Sequence, residues 1–342
     1  YLKMFLKKGY VVKFIGDNYL HEEPYTSTLQ QMGIEVLYGQ EYLTGIWDWL
    51  VKNGKDIHVA YLNRPHIATK YVDFIKEHTD IKMIYYGHDL HFMREFREYE
   101  LTGDVKKRQE SEYWKSIEFS LFHKVAVSYY PSYVEEEAIH AVDETIPVKA
   151  ITAYVYEEFL QNLNKDFAKR EGLLFVGGFA HPPNADAVLW FAKEVFPKIR
   201  EQLKVNFYIV GSKVTDEIKA LEQPGNGIIV KGFVSEEELA DLYRNCRIVV
   251  VPLRYGAGVK GKVVEAIYNG APIVTTSVGS EGIPDVEKVL LVKDQPDEFA
   301  ETVVELYKDE KRLEDLAEKT QVYIREHFSI DAAWDVIKED FE

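Results

Sequence analysis

The chain has 342 residues, with 57 acidic against 41 basic side chains and a formal net charge of −16. That length exceeds one typical core and fits two domains, and the acidic balance excludes a general nucleic-acid or anionic-membrane binder, so any anion must be held by a local cluster of cations. The lone Cys246 excludes an internal disulfide and a cysteine zinc site and fits a reducing, cytoplasmic setting; no apolar run approaches the roughly 18 residues of a membrane span, and no secretory leader is expected.

The chain opens at Tyr1 on YLKMFLKKGY, which reads as the middle of a helix, so a first strand is expected upstream of it. Buried strands are then expected at 10–16, 34–39, 57–62, 82–87 and 124–129. Amphipathic helices such as TSTLQQMG, ATKYVDFIKEHT and ESEYWKSIEFSLFHK lie between or near them. A polar stretch at 156–171 reads as a linker. A second series of strands follows at 173–178, 205–211, 228–233, 247–253, 272–276 and 289–294. Helices are expected over 184–203, SEEELADLYRNC, 263–269 and one long segment, 296–328; Ser235 with Glu238 has the spacing of a capping box. This alternation predicts an α/β fold of two doubly wound parallel-sheet domains, 1–155 and 172–328, with a terminal helix at 329–342 returning to the first domain. Ligands of such sheets bind beyond the carboxyl ends of the strands, and a cleft between two such domains is the natural place.

One stretch concentrates chemistry. In VPLRYGAGVKGKVVEA, residues 251–266, an apolar run stops at Pro252, three glycines and three cations follow, and a helix-like pattern begins. Converging N–H groups, a helix dipole and the cations Arg254, Lys260 and Lys262 suit a diphosphate, with Gly258 and Val259 in the same loop. Glu265, expected in the first helical turn, suits ribose hydroxyls beside it. The loop is neither a P-loop nor a dinucleotide GxGxxG; the competing reading is a flexible surface loop with solvated cations.

The segments LLFVGGFAHPPNADAVLWF and VKGFVSEEELADLYRNCRIVVVPLRYGAGVKGKVVEAIYNGAPIVTTSVGSEGI, and their spacing, resemble the nucleotide-sugar-binding domain of GT-B glycosyltransferases, nearest the retaining family 4 group of surface-polysaccharide assembly. The resemblance implies two Rossmann-like domains facing a central cleft, a nucleotide-diphosphate-sugar donor, a glycan or polysaccharide acceptor and no cofactor or metal. It places Gly177 and Gly178 near the diphosphate, Glu265 on ribose, and Gly232, Phe233 and Val234 along the nucleobase. Two departures stand out. The family's first glutamate falls on Ala257, and its cations after the first strand are replaced by Gly178 and HPPN, which includes Asn184; Arg254, Lys260 and Lys262 are inferred to compensate.

In the first domain, His88 and Asp89 follow the fourth strand and resemble the family's HD position, where the imidazole serves the donor sugar. A structural histidine, or a metal set of His88, Asp89 and His91, is the alternative. Arg94, Asn63, Arg64 and Asp17 are further candidate contacts at strand ends, as is Glu281 in the second domain, while Tyr85, Tyr86 and Tyr129 read as core. The expected activity is sugar transfer by a soluble protein, at the inner face of the membrane or as part of a longer chain or assembly. The alternatives are an inactive sugar-nucleotide-binding domain, a sugar-nucleotide epimerase of the same fold, and an NAD-dependent enzyme.

Overall fold

Apolar runs become parallel ladders in both halves of the chain. A computed structural model, describing residues 1–256 and 258–342, divides into unit 1 (Tyr1–Val155 with Ala333–Glu342) and unit 2 (Tyr156–Ala332). Among the described residues no helix is long and apolar enough to cross a membrane.

Unit 1 contains β1 (Lys13–Ile15), β2 (Glu35–Leu37), β3 (Val59–Asn63), β4 (Lys82–Tyr86), β5 (Val127–Tyr130) and β6 (Val148–Ala150), with α1 (Leu2–Lys7), α2 (Tyr25–Gln31), α3 (Gln40–Asn53), α4 (Pro65–His78), α5 (His91–Thr102), α6 (Val105–Phe122) and α7 (Tyr133–His140). The strands form two separate ladders, β1-β2 and β3-β4-β5-β6. Tyr85 and Tyr130 of adjacent strands pack with Phe122 of α6, Val72 and Ile75 of α4 and Ile139 of α7. The three tyrosines expected in the core, Tyr85, Tyr86 and Tyr129, are all buried. The expected buried strand at 10–16 is corrected: its ladder covers only Lys13–Ile15, and Val11 is 88% exposed. With β2 as its single partner, β1 has no second neighbour to bury it. At the C-terminus, Phe341 packs on Phe5 at 4.9 Å.

Unit 2 contains β7 (Leu173–Val176), β8 (Phe207–Val210), β9 (Ile228–Gly232), β10 (Ile248–Val251), β11 (Ile273–Thr275) and β12 (Leu290–Val292). Its helices are α8 (Pro182–Trp190), α9 (Phe196–Arg200), α10 (Asp216–Lys219), α11 (Glu236–Asn245), α12 (Gly261–Tyr268), α13 (Ser277–Ser280), α14 (Pro296–Lys308) and α15 (Glu310–Phe328). All six strands join one parallel sheet, ordered β12-β11-β10-β7-β8-β9. The strand order therefore reverses between β7 and β10, where open α/β sheets bind ligands at their carboxyl ends.

Three expectations change. The helix over 184–203 passes through a wider π-type turn at Phe191–Val195, because Pro197 lacks the N–H that would close an ordinary turn. The long helix over 296–328 breaks at Asp309, whose carboxylate accepts the Arg312 N–H at 3.0 Å and starts α15. The segment 156–171 is not a free linker but packs onto unit 2. Tyr156 N–H donates to Phe328 at 2.8 Å. Phe167 is buried, and the buried Arg170 guanidinium donates to the carbonyls of Cys246, Tyr243 and Asn164.

Candidate functional site

Glycine stands where the turns of unit 2 must meet. Gly177 and Gly178 follow β7 and Gly211 follows β8; a Cβ on Gly211 would lie 1.9 Å from the Gly177 carbonyl oxygen, so a larger residue cannot pass. On the other side of the reversal, Gly258 and Val259 lead through Lys260, the N-cap residue, into α12. Ala257, where the resemblance expects a carboxylate, lies outside the described residues.

Lys262, the second residue of α12, ties the two sides together. Its Nζ donates to Asn184 Oδ1 at 2.6 Å and sits 5.7 Å from the Phe175 ring centre. Asn184, 5% exposed, directs its Nδ2 to the Gly178 carbonyl at 2.7 Å. Among the described residues no carboxylate pairs with this ammonium. Burial first, then the charge of Lys260, push its pKa down to about 8.

The other two cations are already matched. Arg254 forms a two-point ion pair with Asp186 of α8, its Nε 2.8 Å from Oδ2. Lys260 is buried, donates to the carbonyl of Gly258, and lies 3.5 Å from Glu281 Oε2. The three expected phosphate ligands therefore differ in the free protein. Two of them have carboxylates within reach, and Glu281, expected as a donor contact, is the partner of Lys260. Asp186, the fifth residue of α8, was missed, because nothing in the sequence links it to Arg254, 68 residues further on.

Glu265 is the fifth residue of α12, since the helix starts at Gly261, and so lies one turn further in than expected. Burial pushes its carboxyl up, with Tyr243 opposing the shift. Gly232 ends β9, and Phe233 beside it is 81% exposed, followed by the half-buried Val234. Ser235 caps α11 by accepting the Glu238 N–H at 3.2 Å, whereas the Glu238 carboxylate takes Lys231 Nζ at 2.9 Å. Lys213, exposed after β8 with φ of +57°, is a further cation that sequence reasoning missed.

In unit 1 the turn after β4 is held from several directions. A Cβ on Gly87 would lie 2.3 Å from the buried Tyr130 ring. His88 is exposed and packs edge-on against Tyr86 at 4.7 Å; burial of part of the ring and the charge of Arg64 push its pKa down. Asp89 accepts from Arg94, which also donates to Glu95 at 2.8 Å, and Glu95 in turn takes Lys107 at 2.7 Å. Glu118 of α6, fully buried, accepts the backbone N–H groups of His91 and Phe92 at 2.9 and 3.1 Å and meets His91 Nδ1 at 3.2 Å. Burial lowers the His91 pKa, but Glu118 and Asp89 outweigh it and the net shift is upward.

Among the described residues no three His, Cys, Asp or Glu side chains could hold a metal, so His88, Asp89 and His91 do not converge as ligands. Asn63 is exposed and donates to the Tyr61 carbonyl, and Arg64 caps α4 with φ of +64°. Asp17, expected as an acceptor contact, is engaged by Lys70 at 2.5 Å and Tyr71 at 3.5 Å.

Comparison with known proteins places this geometry. Residues 170–309 match the family model described as "Glycosyl transferases group 1". The match lies within unit 2. The whole chain has the GT-B fold. It is similar to sucrose-phosphate synthase from Thermosynechococcus elongatus, with a TM-score of 0.68 at 15% identity over 99% of this chain and 90% of that one. Anabaena Alr3699/HepE, solved with UDP and glucose, has a TM-score of 0.67 at 14% identity over 99% and 94% of the two chains. TarM has a TM-score of 0.66 at 14% identity over 86% of this chain but 57% of its own. An uncharacterised 44.6 kDa protein in the cps region of Klebsiella pneumoniae is 29% identical over 184 residues, 51% of this chain and 45% of the relative. The match thus spans about half the length of that curated relative.

Proposed function

We propose that this chain transfers a sugar from a nucleotide-diphosphate-sugar donor to a glycan or polysaccharide acceptor. The observation that carries this reading is Lys262: a largely buried ammonium at the strand-order reversal, held by an amide oxygen and an aromatic ring and without a carboxylate partner among the described residues. A buried charge without a counter-charge is costly, and a diphosphate beside α12 would supply one. The dipole of α12 adds to the attraction, and Lys260 becomes available once the anion competes with Glu281. The same groups stabilise the diphosphate as it leaves with the bonding electrons, which asks for no metal.

Glu265 is assigned to ribose, Phe233 with its flanking residues to the base, and His88 to the sugar. Retention at the transferred carbon, a cytoplasmic setting and a polysaccharide product follow from the resemblance. The cps-region origin of the Klebsiella relative favours such a product. UDP is the first base to try, because Alr3699/HepE and TarM structures carry it.

The test is a thermal-shift and calorimetric screen of UDP-, GDP-, ADP- and dTDP-sugars, followed by product analysis with glycan acceptors. One donor should raise stability by about 2.7 kcal/mol at a hundredfold excess over its Kd, and sugar should pass to acceptor. Absence of stabilisation by every donor overturns the reading; binding without transfer reduces it to a sugar-nucleotide-binding domain.

A further inference from the structure

Helix α3 of unit 1 carries apolar side chains on more than the face it buries. Ile46 and Leu50 are buried in the core of unit 1. Leu43, Trp47 and Val51 are exposed, although their spacing sets them in one ridge along the helix. The ridge is backed by α4, where Phe74 and Tyr71 meet the Trp47 ring at 4.6 and 5.4 Å and hold it in place. Single apolar side chains on a surface need no explanation, whereas a continuous ridge marks a contact.

The charges beside the ridge are segregated by end. Glu41 stands in the first turn of α3, Lys52 in its last turn, and Lys55 in the 3-10 turn Gly54–Asp56 that follows. Glu41 and Lys52 lie about three turns apart and so on the same side of the helix. All three are exposed, and among the described residues none of them is in an ion pair. Asp48, near the midpoint, stands one turn from Lys52, which offsets it.

We propose that this ridge pairs with the same ridge of a second copy of the chain, the two α3 helices running antiparallel about Trp47. Trp47 then meets its counterpart, Leu43 meets the second copy's Val51, and Glu41 comes between the second copy's Lys52 and Lys55. A two-fold contact needs a surface complementary to itself. An apolar ridge centred on one residue, with an acid at one end and cations at the other, meets that condition. A bilayer suits the ridge less well, because its flanking charges are of both signs and the chain's net charge of −16 repels anionic lipid. The patch is small, so the pair forms reversibly.

The experiment is sedimentation velocity of the full chain over a concentration series. The wild type should pass from monomer to dimer as concentration rises. Trp47→Glu buries an unpaired charge at the centre and should weaken association about a hundredfold or more. Glu41→Lys, on the exposed side, should weaken it about tenfold by facing the second copy's lysines. Adding Lys52→Glu and Lys55→Glu to that same chain reverses both ends. The triple variant should dimerise like the wild type and fail to pair with wild-type chains. A wild type that stays monomeric overturns the proposal, as does a dimer that survives Trp47→Glu. Loss with Trp47→Glu but indifference to the charge reversals overturns the antiparallel arrangement. Binding of the wild type to zwitterionic or anionic phospholipid vesicles, abolished by Trp47→Glu, would give the ridge to a membrane instead.

Discussion

The two strand-end turns treat charge in opposite ways. After β4 in unit 1, the three carboxylates of the turn are all matched: Asp89 with Arg94, Glu95 with Arg94 and Lys107, Glu118 with His91 and two backbone N–H groups. Around α12 in unit 2, Arg254 and Lys260 have carboxylates, but among the described residues Lys262 has Asn184 and a ring and no carboxylate. A closed network fixes geometry, because each group has little to gain from a newcomer. A largely buried cation left without a carboxylate has much to gain from an anion. The contrast assigns positioning to the first turn and anion binding to the second.

The hardest blow to that contrast is Lys262→Met. It should cost about a hundredfold or more in nucleoside-diphosphate affinity, as loss of one member of a desolvated charge pair does. It should also raise the melting temperature of the free protein, because the buried charge is a burden there. Calorimetry and thermal melts read the two effects, and a variant that both binds and melts like the wild type would erase the distinction.

Glu118→Gln comes next. The carboxamide cannot accept from both backbone N–H groups and the imidazole at once, so unit 1 should lose about 2–3 kcal/mol of stability, measured by chemical denaturation. Diphosphate affinity should not change. A fall in affinity comparable to the fall in stability would mean that the two turns are not separable.

The pH effect is smaller. Lys262 is charged below its lowered pKa, so affinity should fall by up to about tenfold as pH rises from neutral through about 8 and beyond. In the free protein the sign reverses. A lysine whose folded pKa lies below its unfolded value destabilises most below the folded pKa, and that burden lifts as pH climbs toward the ordinary lysine range. A flat affinity profile in a protein that still binds would place the anion away from Lys262. The smallest expected change is a gain. Asp186→Asn releases Arg254, and affinity should tighten about two- to threefold; a loss would mean that the ion pair serves to hold α8 in place.

Much of unit 2 was legible because its strands are short apolar runs buried on both faces. Val249, Val250 and Val251 have no exposed side to blur the pattern, and all six runs became strands within a few residues of their expected ends. In unit 1 the run 10–16 has the same composition but lies in a two-stranded ladder, so only three of its residues pair and Val11 faces solvent. Composition reports what can be buried, whereas the number of neighbouring strands decides what is. Strand β6, Val148–Ala150, was missed altogether: its three residues, VKA, include a lysine and form no apolar run.

The site divides the same way. Glycines, cations and Asn184 could be found from a strand, a glycine-rich turn and a helix in succession. Their partners could not: Asp186 lies 68 residues from Arg254 and Glu118 lies 27 from His91. Only the folded chain shows which cation is paired and which is not.

The most direct measurement is a crystal structure of the full chain with the nucleoside diphosphate that binds best. Phosphate oxygens should lie within hydrogen-bond reach of Lys262 Nζ at the start of α12, joining or replacing Asn184 as its partner. A well-ordered ligand bound elsewhere, with the Lys262–Asn184 bond unchanged, would contradict it.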